Sequence, residues 1–382
     1  MQNNFHITVI GDLSEVPREA WNRLAGPSNP FLRHEFLNAL EQHHCLQEYG
    51  WYPQHILLYD NQTLIGATPL YIKDNSYGEL VFDWGWAEAY QRAGLAYYPK
   101  LVSAIPYTPA TGPRLLCADA ELYPVVAKQL MQAAISHAEH HNMSSVHWLF
   151  TDKRDTELLQ SKQLLLRLGT QFHWENHQYE NFDHFLASLS ADKRKKIKRE
   201  RRHVQEQQIQ IETRHGDEMT DELWGIYHRF YCSTFERKSG MPTLSLDFFR
   251  ELATTLPRSI VIMFAIHDGN YVASAFNIRG TDTLYGRHWG CTAEFHSLHF
   301  EACYYQGLEY CIANKLQRFE PGAQGEHKLS RGFLPTATWS AHWIANPQFR
   351  EAINAFVTRE QVAVHDYMEE LNAHSPYKSA EP

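Results

Sequence analysis

Paired cysteines are missing from this 382-residue chain. Its six cysteines, Cys45, Cys117, Cys232, Cys291, Cys303 and Cys311, are scattered, without the two-residue spacing of zinc or redox motifs. No run of about 18 apolar residues is present to span a bilayer. The start, Met1-Gln-Asn-Asn-Phe-His6, lacks the basic beginning and apolar stretch of a signal peptide. Together these absences predict a cytoplasmic protein with reduced thiols and no stable membrane insertion. A positive net charge is lacking too: the formal charge is −9, which argues against a general nucleic-acid binder.

What is abundant is aromatic. Tyr, Phe and Trp make up 13% of the chain, and hydrophobic residues 43%, enough to pack a core, in a length that suits two or three domains. Many of the aromatics cluster between Gly78 and Arg114, alternating with polar groups. Asp83, Trp84, Trp86, Tyr90, Tyr98, Lys100 and Arg114 are the residues here that suit a half-wet, half-apolar substrate wall. Ordinary core aromatics with Pro-rich turns are the competing reading.

Upstream, residues 5–10 read as a strand, and 17–24 and 33–44 as helices separated by Asn29-Pro30. Residues 55–59 and 63–72 read as a hairpin turned at Asp60-Asn61-Gln62. An amphipathic helix is expected over 121–142. It carries His137, His140 and His141, but no carboxylate-rich partner segment accompanies them. His173-Trp-Glu-Asn-His177 lacks the Glu directly after the first His that zinc proteases need. Neither is read as a metal site.

Beyond Tyr179 the pattern changes. Residues 181–189 suit a short helix, and Ser190 can cap a second. That second helix, expected over 192–203, contains Lys193-Arg-Lys-Lys-Ile-Lys-Arg-Glu-Arg-Arg202, eight basic residues in ten. Like charges at helical spacing repel, so the run needs either solvent or a polyanion. Lys193, Arg194, Lys196, Arg199 and Arg202 are the candidate contacts to a tRNA, a lipid head group or a carrier's phosphates. Helices are then expected over 217–236 and 246–256, strands over 259–267, 271–279 and 283–289, a helix over 297–315 and a strand over 318–321. Asp268-Gly269 marks the first hairpin.

That last strand leads into Phe319-Glu-Pro-Gly-Ala-Gln-Gly-Glu-His-Lys-Leu-Ser-Arg331. Glycines here surround groups that move protons or hold anions, a pattern that connection alone does not require. Glu326 and His327 are candidate bases, and backbone amides of 322–325 candidate oxyanion donors. Lys328, Arg331 and Arg287 are candidate anchors for phosphate or carboxylate. Gln324, Gly325, His288 and Glu301 complete the candidate site, with Glu301 a second-choice base whose competing role is a structural ion pair.

Leu284-Tyr-Gly-Arg-His-Trp-Gly290, the segment Leu298–Tyr310, and Phe319–Lys328 with Arg331-Gly-Phe333 resemble the FemAB-like N-acyltransferases. The aromatic block and the basic helix fit the same pattern. The likeness covers nearly the whole chain up to about residue 370. It implies an α+β fold of two tandem GNAT-like acyltransferase domains, 1–178 and 179–370, followed by a disordered tail, 371–382. It also implies a bacterial enzyme that moves an acyl or aminoacyl group to an amine in peptidoglycan metabolism. Its co-substrate would be acyl-CoA or aminoacyl-tRNA, with no tightly bound cofactor. One departure bears on the donor. Acetyl-CoA enzymes of the GNAT type carry a glycine-rich pyrophosphate loop after the fourth strand, whereas His288–Leu298 holds a single glycine. CoA therefore binds differently or not at all. The Fem enzymes, which take their acyl group from aminoacyl-tRNA, lack that loop as well, and such a donor would account for the basic helix. Two non-enzymatic readings remain: a binder of RNA or an anionic cell-wall precursor through residues 193–202, and a recognition module whose chemistry is lost.

Overall fold

The computed structural model describes residues 4–237, 240–323 and 325–378. Its strands, in chain order, are β1 (Phe5–Ile10), β2 (Trp51–Pro53), β3 (His55–Asp60), β4 (Thr63–Thr68), β5 (Tyr71–Lys73), β6 (Lys100–Ser103) and β7 (Ser145–Thr151). There follow β8 (Leu165–Glu175), β9 (Gln210–His215), β10 (Ile260–His267), β11 (Asn270–Arg279), β12 (Thr283–Cys291), β13 (Arg318–Glu320) and β14 (Leu334–Ile344). The chain divides into two compact units: 1–170 with 337–366, and 171–336 with 367–382.

In the first unit, β1, β3 and β4 make a small antiparallel sheet whose β3–β4 turn falls at Asn61, at φ 53°. Asn tolerates that left-handed conformation better than most residues, and the hairpin expected there is present. The other sheet runs β2-β5-β6-β7-β14. The helix Tyr123–His140 lies inside the expected 121–142. It buries Val126, Leu130, Ala134 and Ala138 into a core with Ile56, Leu58, Leu101, Val146 and Trp148. Burial of each of the larger of these side chains, such as Val126 and Leu130, is worth roughly 1.5–3 kcal/mol.

The second unit is built on β8-β13-β12-β11-β10-β9. The three-stranded meander β10–β12 turns at Asp268 and Gly269, both at positive φ (49° and 73°), as its Asp-Gly pair predicts. β12 and β13 run parallel, and their register covers only Thr283↔Arg318, Leu284↔Phe319 and Tyr285↔Glu320. Where that pairing ends, a methyl on Gly286 would lie 3.1 Å from the Pro321 Cα, a tight contact that glycine avoids. The helix expected over 297–315 is present but interrupted. A π-turn, Glu301–Tyr305, separates Leu298–Phe300 from Gln306–Ala313.

Two expectations about domain limits are corrected. Residues 337–366 belong with the first unit, because β14 pairs antiparallel with β7 from Trp339↔Thr151 to Ile344↔Ser145. The segment from 371 to 378 is not a disordered tail. Leu371 is buried, Tyr377 pairs with Leu189, and the Tyr377 hydroxyl donates to the Gly332 carbonyl at 2.7 Å. Residues 379–382 lie outside the described residues.

Candidate active site

β13 ends at Glu320 because Pro321 has no N–H to continue the ladder. Gly322 then turns the chain at φ 94° and Gly325 at φ 109°. Glu326–Arg331 closes the segment as a 3₁₀ helix, stopped by Gly332 at φ 98°. Its two polarities separate by face: Lys328, Leu329 and Arg331 point inward, while Glu326 and His327 are exposed. Lys328 Nζ donates to the Gly322 carbonyl at 2.6 Å, tying the two ends of the loop together. Burial brings the Lys328 ammonium down to about 8, so this lysine is a loop fastener with a weakened charge.

His327 is held from the side. Tyr304 Oη and His327 Nε2 share a 2.8 Å hydrogen bond, and the Phe300 and His299 rings pack around the imidazole. Desolvation, then the cations of Arg331, Lys328 and Lys196, lower its basicity, so it is neutral near pH 7. A methyl at Gly325 would fall 2.3–2.8 Å from His327 Cε1 and Nδ1, which puts that ring edge directly over the loop. Glu326 accepts a 2.6 Å hydrogen bond from Tyr367.

Arg331 is buried and internally committed. Its Nε and Nη2 donate to Glu200 (3.1 and 2.7 Å), Nε also reaches Tyr305 Oη at 3.1 Å, and Nη1 donates to the His327 carbonyl at 2.6 Å. Its guanidinium stacks 3.5 Å above the Phe300 ring. Tyr305 also donates to Glu200. The π-turn is what presents Tyr304 and Tyr305 together toward this loop, a recurrent use of such turns. Glu301, on the same turn, pairs with Arg201 at 3.0 Å and accepts from Gln306 at 2.8 Å. Burial raises its carboxyl and the Arg201 charge opposes that rise. Burial also pushes the Cys303 thiol up, against nucleophilic use.

One cluster at this loop was not named from the sequence. Glu320 is buried, its Oε2 has no hydrogen-bond partner, and His173 Nε2 stands 3.9 Å away. His173 Nε2 donates instead to Gln171 Oε1 at 3.0 Å, leaving Nδ1 without a partner. Burial raises the Glu320 carboxyl to about 8 and lowers His173 to about 3, so both are neutral at pH 7. The available signal was the carboxylate directly before Pro321-Gly322. Glu200 was missed too, although it is the one acid in its basic run.

The remaining candidates lie elsewhere in their units. His288 stacks on Phe276 and lies 3.3 Å from the Tyr227 hydroxyl. Arg287 is half-buried beside Tyr227 and Tyr231, and burial brings it down to about 10. Gln324 lies outside the described residues. On the basic helix (Ala191–Glu206), Arg199 and Arg202 are exposed with Lys195 and Lys198. Lys193 and Arg194 are half-buried, and Lys196 donates to Ser330 at 3.2 Å.

In the first unit the aromatic block folds into a buried network. Lys100 Nζ donates to Asp83 (2.5 Å), Glu79 (2.8 Å) and Ser76 (3.0 Å), and Ser76 and Tyr98 share a 2.7 Å bond. Trp86 and Tyr90 pack in a small core with Ile344 and Ile353. Arg114 is spent on the carbonyls of Leu149, Ala110 and Gly112. Trp84 is exposed beside Tyr77 and Phe82.

A family model described as FemAB-like, peptidoglycan biosynthesis/recognition, matches residues 12–379. No curated protein matches the sequence. Among solved structures, FemX is similar over 91% of this chain and 100% of its own, with a TM-score of 0.56 at 11% identity. L-PGS from Bacillus licheniformis is similar over 91% of this chain and 97% of its own, with a TM-score of 0.52 at 11% identity. The α+β fold expected from the sequence is the fold found, and FemX and L-PGS share it over nearly their whole lengths.

Proposed function

We propose that this chain, which belongs to the FemAB-like family, transfers an acyl or aminoacyl group from an activated carrier to an amine of a peptidoglycan precursor. Family and fold support a transferase of this class, and the observation that carries the residue assignment is the neutral, tyrosine-held imidazole of His327 over Gly325. In the tautomer whose Nε2–H donates to Tyr304, Nδ1 offers a lone pair at the loop. The incoming amine attacks the donor's carbonyl carbon directly, and Nδ1 takes the proton that the amine sheds. Arg331 acts through the His327 carbonyl as a positioning residue, and Lys328 does the same through Gly322. Backbone amides of Gly322, Ala323 and Gly325 are the oxyanion donors of this scheme. Aminoacyl-tRNA and acyl-CoA are the two donor classes, and the exposed cations of the basic helix favour a donor with several phosphates.

The test is transfer of a labelled group from charged tRNA or acetyl-CoA to a lysine-containing precursor peptide. His327→Gln should lower kcat by about 100-fold or more with KM nearly unchanged. It should also remove the fall in rate on the acid side. Wild-type kinetics in the variant would reject His327 as the base. No transfer from either donor, with tRNA binding intact, would favour the second reading. That reading is a non-catalytic polyanion binder acting through Lys195, Lys198, Arg199 and Arg202, which share one exposed helix face.

A further inference from the structure

A base for the amine is half of an acyl transfer. The departing atom of the carrier needs a proton as well, most of all when it is an alcohol oxygen rather than a sulfur. We propose that Glu320 is the general acid of the transfer, donating the proton on its Oε2 to the leaving group; the inference rests on the acyl-transfer reading above.

Among the described residues no cation hydrogen-bonds this carboxyl, and the one charge that favours its ionised form, Arg318, is held at a distance. Arg318, on the same strand, is drawn to Glu175 at 2.7 Å and comes no nearer than 3.9 Å to Glu320 Oε1. His173, on β8, spends its Nε2–H on Gln171. Among the described residues, the other ionisable groups facing Glu320 are Glu175 on β8, Tyr285 on β12 and Asp282 just before it, none of them a cation. Lys328 acts on His173 and is fastened to Gly322. A carboxyl this buried, without a hydrogen-bonded cation, keeps its proton near pH 7. That proton has no acceptor among the described residues, where Oε2 has no hydrogen-bond partner. An unsatisfied buried donor is costly to fold, and a ligand atom that accepts the proton relieves the cost. Glu320 and His327 also flank one loop, at opposite ends, with environments that push a carboxyl up and an imidazole down. Such a divergence separates an acid from a base.

The step balances without another reagent. The amine nitrogen bonds to the carbonyl carbon and gives its proton to His327. The bond from that carbon to the carrier's oxygen or sulfur breaks, and the departing atom takes the Glu320 proton. Glu320 is left as a carboxylate and His327 as an imidazolium, and exchange with water resets both.

The experiment compares wild type, Glu320→Gln and Glu320→Asp as full-length protein. The infrared carbonyl stretch of a protonated carboxylic acid is followed on both sides of pH 8, and kcat against pH with charged tRNA and with acetyl-CoA. In the wild-type minus Glu320→Gln difference spectrum, where the other raised carboxyls common to both proteins cancel, we expect a protonated-carboxyl band that titrates near 8. The wild-type rate should fall through the same pH. Glu320→Gln should lose that alkaline limb and about 100-fold in kcat with the oxygen ester, at unchanged KM. With the thioester the loss should stay below about 10-fold, because a thiol of pKa near 8.5 leaves without help. Glu320→Asp, which keeps a proton to give, should recover part of the rate. Absence of that difference band overturns the proposal, and so does an unchanged kcat and alkaline limb in a folded Glu320→Gln. A wild type that transfers from neither donor removes the acyl-transfer reading itself, and this inference with it.

Discussion

Glu200 and Arg331 form a buried, two-point ion pair, Oε1 to Nη2 at 2.7 Å and Oε2 to Nε at 3.1 Å. The pair joins the basic helix to the loop that carries His327, because Arg331 also holds the His327 carbonyl. Removing one partner leaves the other charge buried and unpaired, at a cost of about 3–5 kcal/mol. Glu200→Ala should therefore shift the urea midpoint strongly downward. The double variant Glu200→Gln with Arg331→Met, which buries no net charge, should regain most of that loss. Equal midpoints for Glu200→Ala and wild type would show that the pair contributes nothing.

The exposed stripe of the same helix should behave in the opposite way. Lys195, Lys198, Arg199 and Arg202 make no buried contact, so replacing all four by Ala should leave the melting temperature nearly unchanged. Binding of tRNA should weaken, and the slope of log affinity against log salt should flatten by roughly 3. Arg201→Ala is the contrasting variant: paired with Glu301 and Glu309, it should cost stability. Affinity and salt slope unaltered in the fourfold variant would remove the polyanion role.

Two glycines test whether the loop's shape matters. Gly325, at φ 109°, has the His327 ring where a methyl would go, so Gly325→Ala strains the backbone and displaces the imidazole. Transfer should drop by more than about 10-fold, a displacement effect on a positioned base. Gly85, in the helix Trp84–Arg92, has open space around its missing methyl. Gly85→Ala should stabilise the protein by about 0.5–1 kcal/mol with no effect on transfer. Equal transfer by both variants would mean the Gly325 turn is only a connection.

These contrasts also mark what the sequence could reveal. The meander β10–β12 was legible because Asp268-Gly269 dictates its turn locally. The loop from Gly322 to Arg331 was legible as a site because glycine and ionisable residues alternate within ten positions. The role of Arg331 was not, since its partner Glu200 lies 131 residues away. The packing of the aromatic block was hidden for the same reason. Asp83 and Lys100 look like groove residues one at a time, and only the fold places them against each other and against Glu79. The ordering of residues 371–378 was likewise set by distant contacts, at Gly332 and Leu189.

The buried network of the first unit should make folding pH-dependent with a definite sign. Lys100 bonds both Asp83 and Glu79. Burial, then the nearby Lys100 charge in opposition, leaves Glu79 raised to about 7, while Asp83, also desolvated but favoured by Lys100, is lowered to about 2. A carboxyl whose folded value lies above its ordinary 4.5 binds more protons folded than unfolded. Its contribution is complete below about 4.5 and is lost as pH rises through about 7. Relative to Glu79→Gln, the wild type should thus lose on the order of 3 kcal/mol between about pH 4.5 and pH 8. His147, lowered to about 3 by burial, works in the other direction, losing its contribution as pH falls below 6.5. It is common to both proteins, so the difference between their urea midpoints isolates Glu79. Midpoint curves that stay parallel across this range would mean Glu79 is already ionised against Lys100 throughout, and the network carries one more charge than its burial favours.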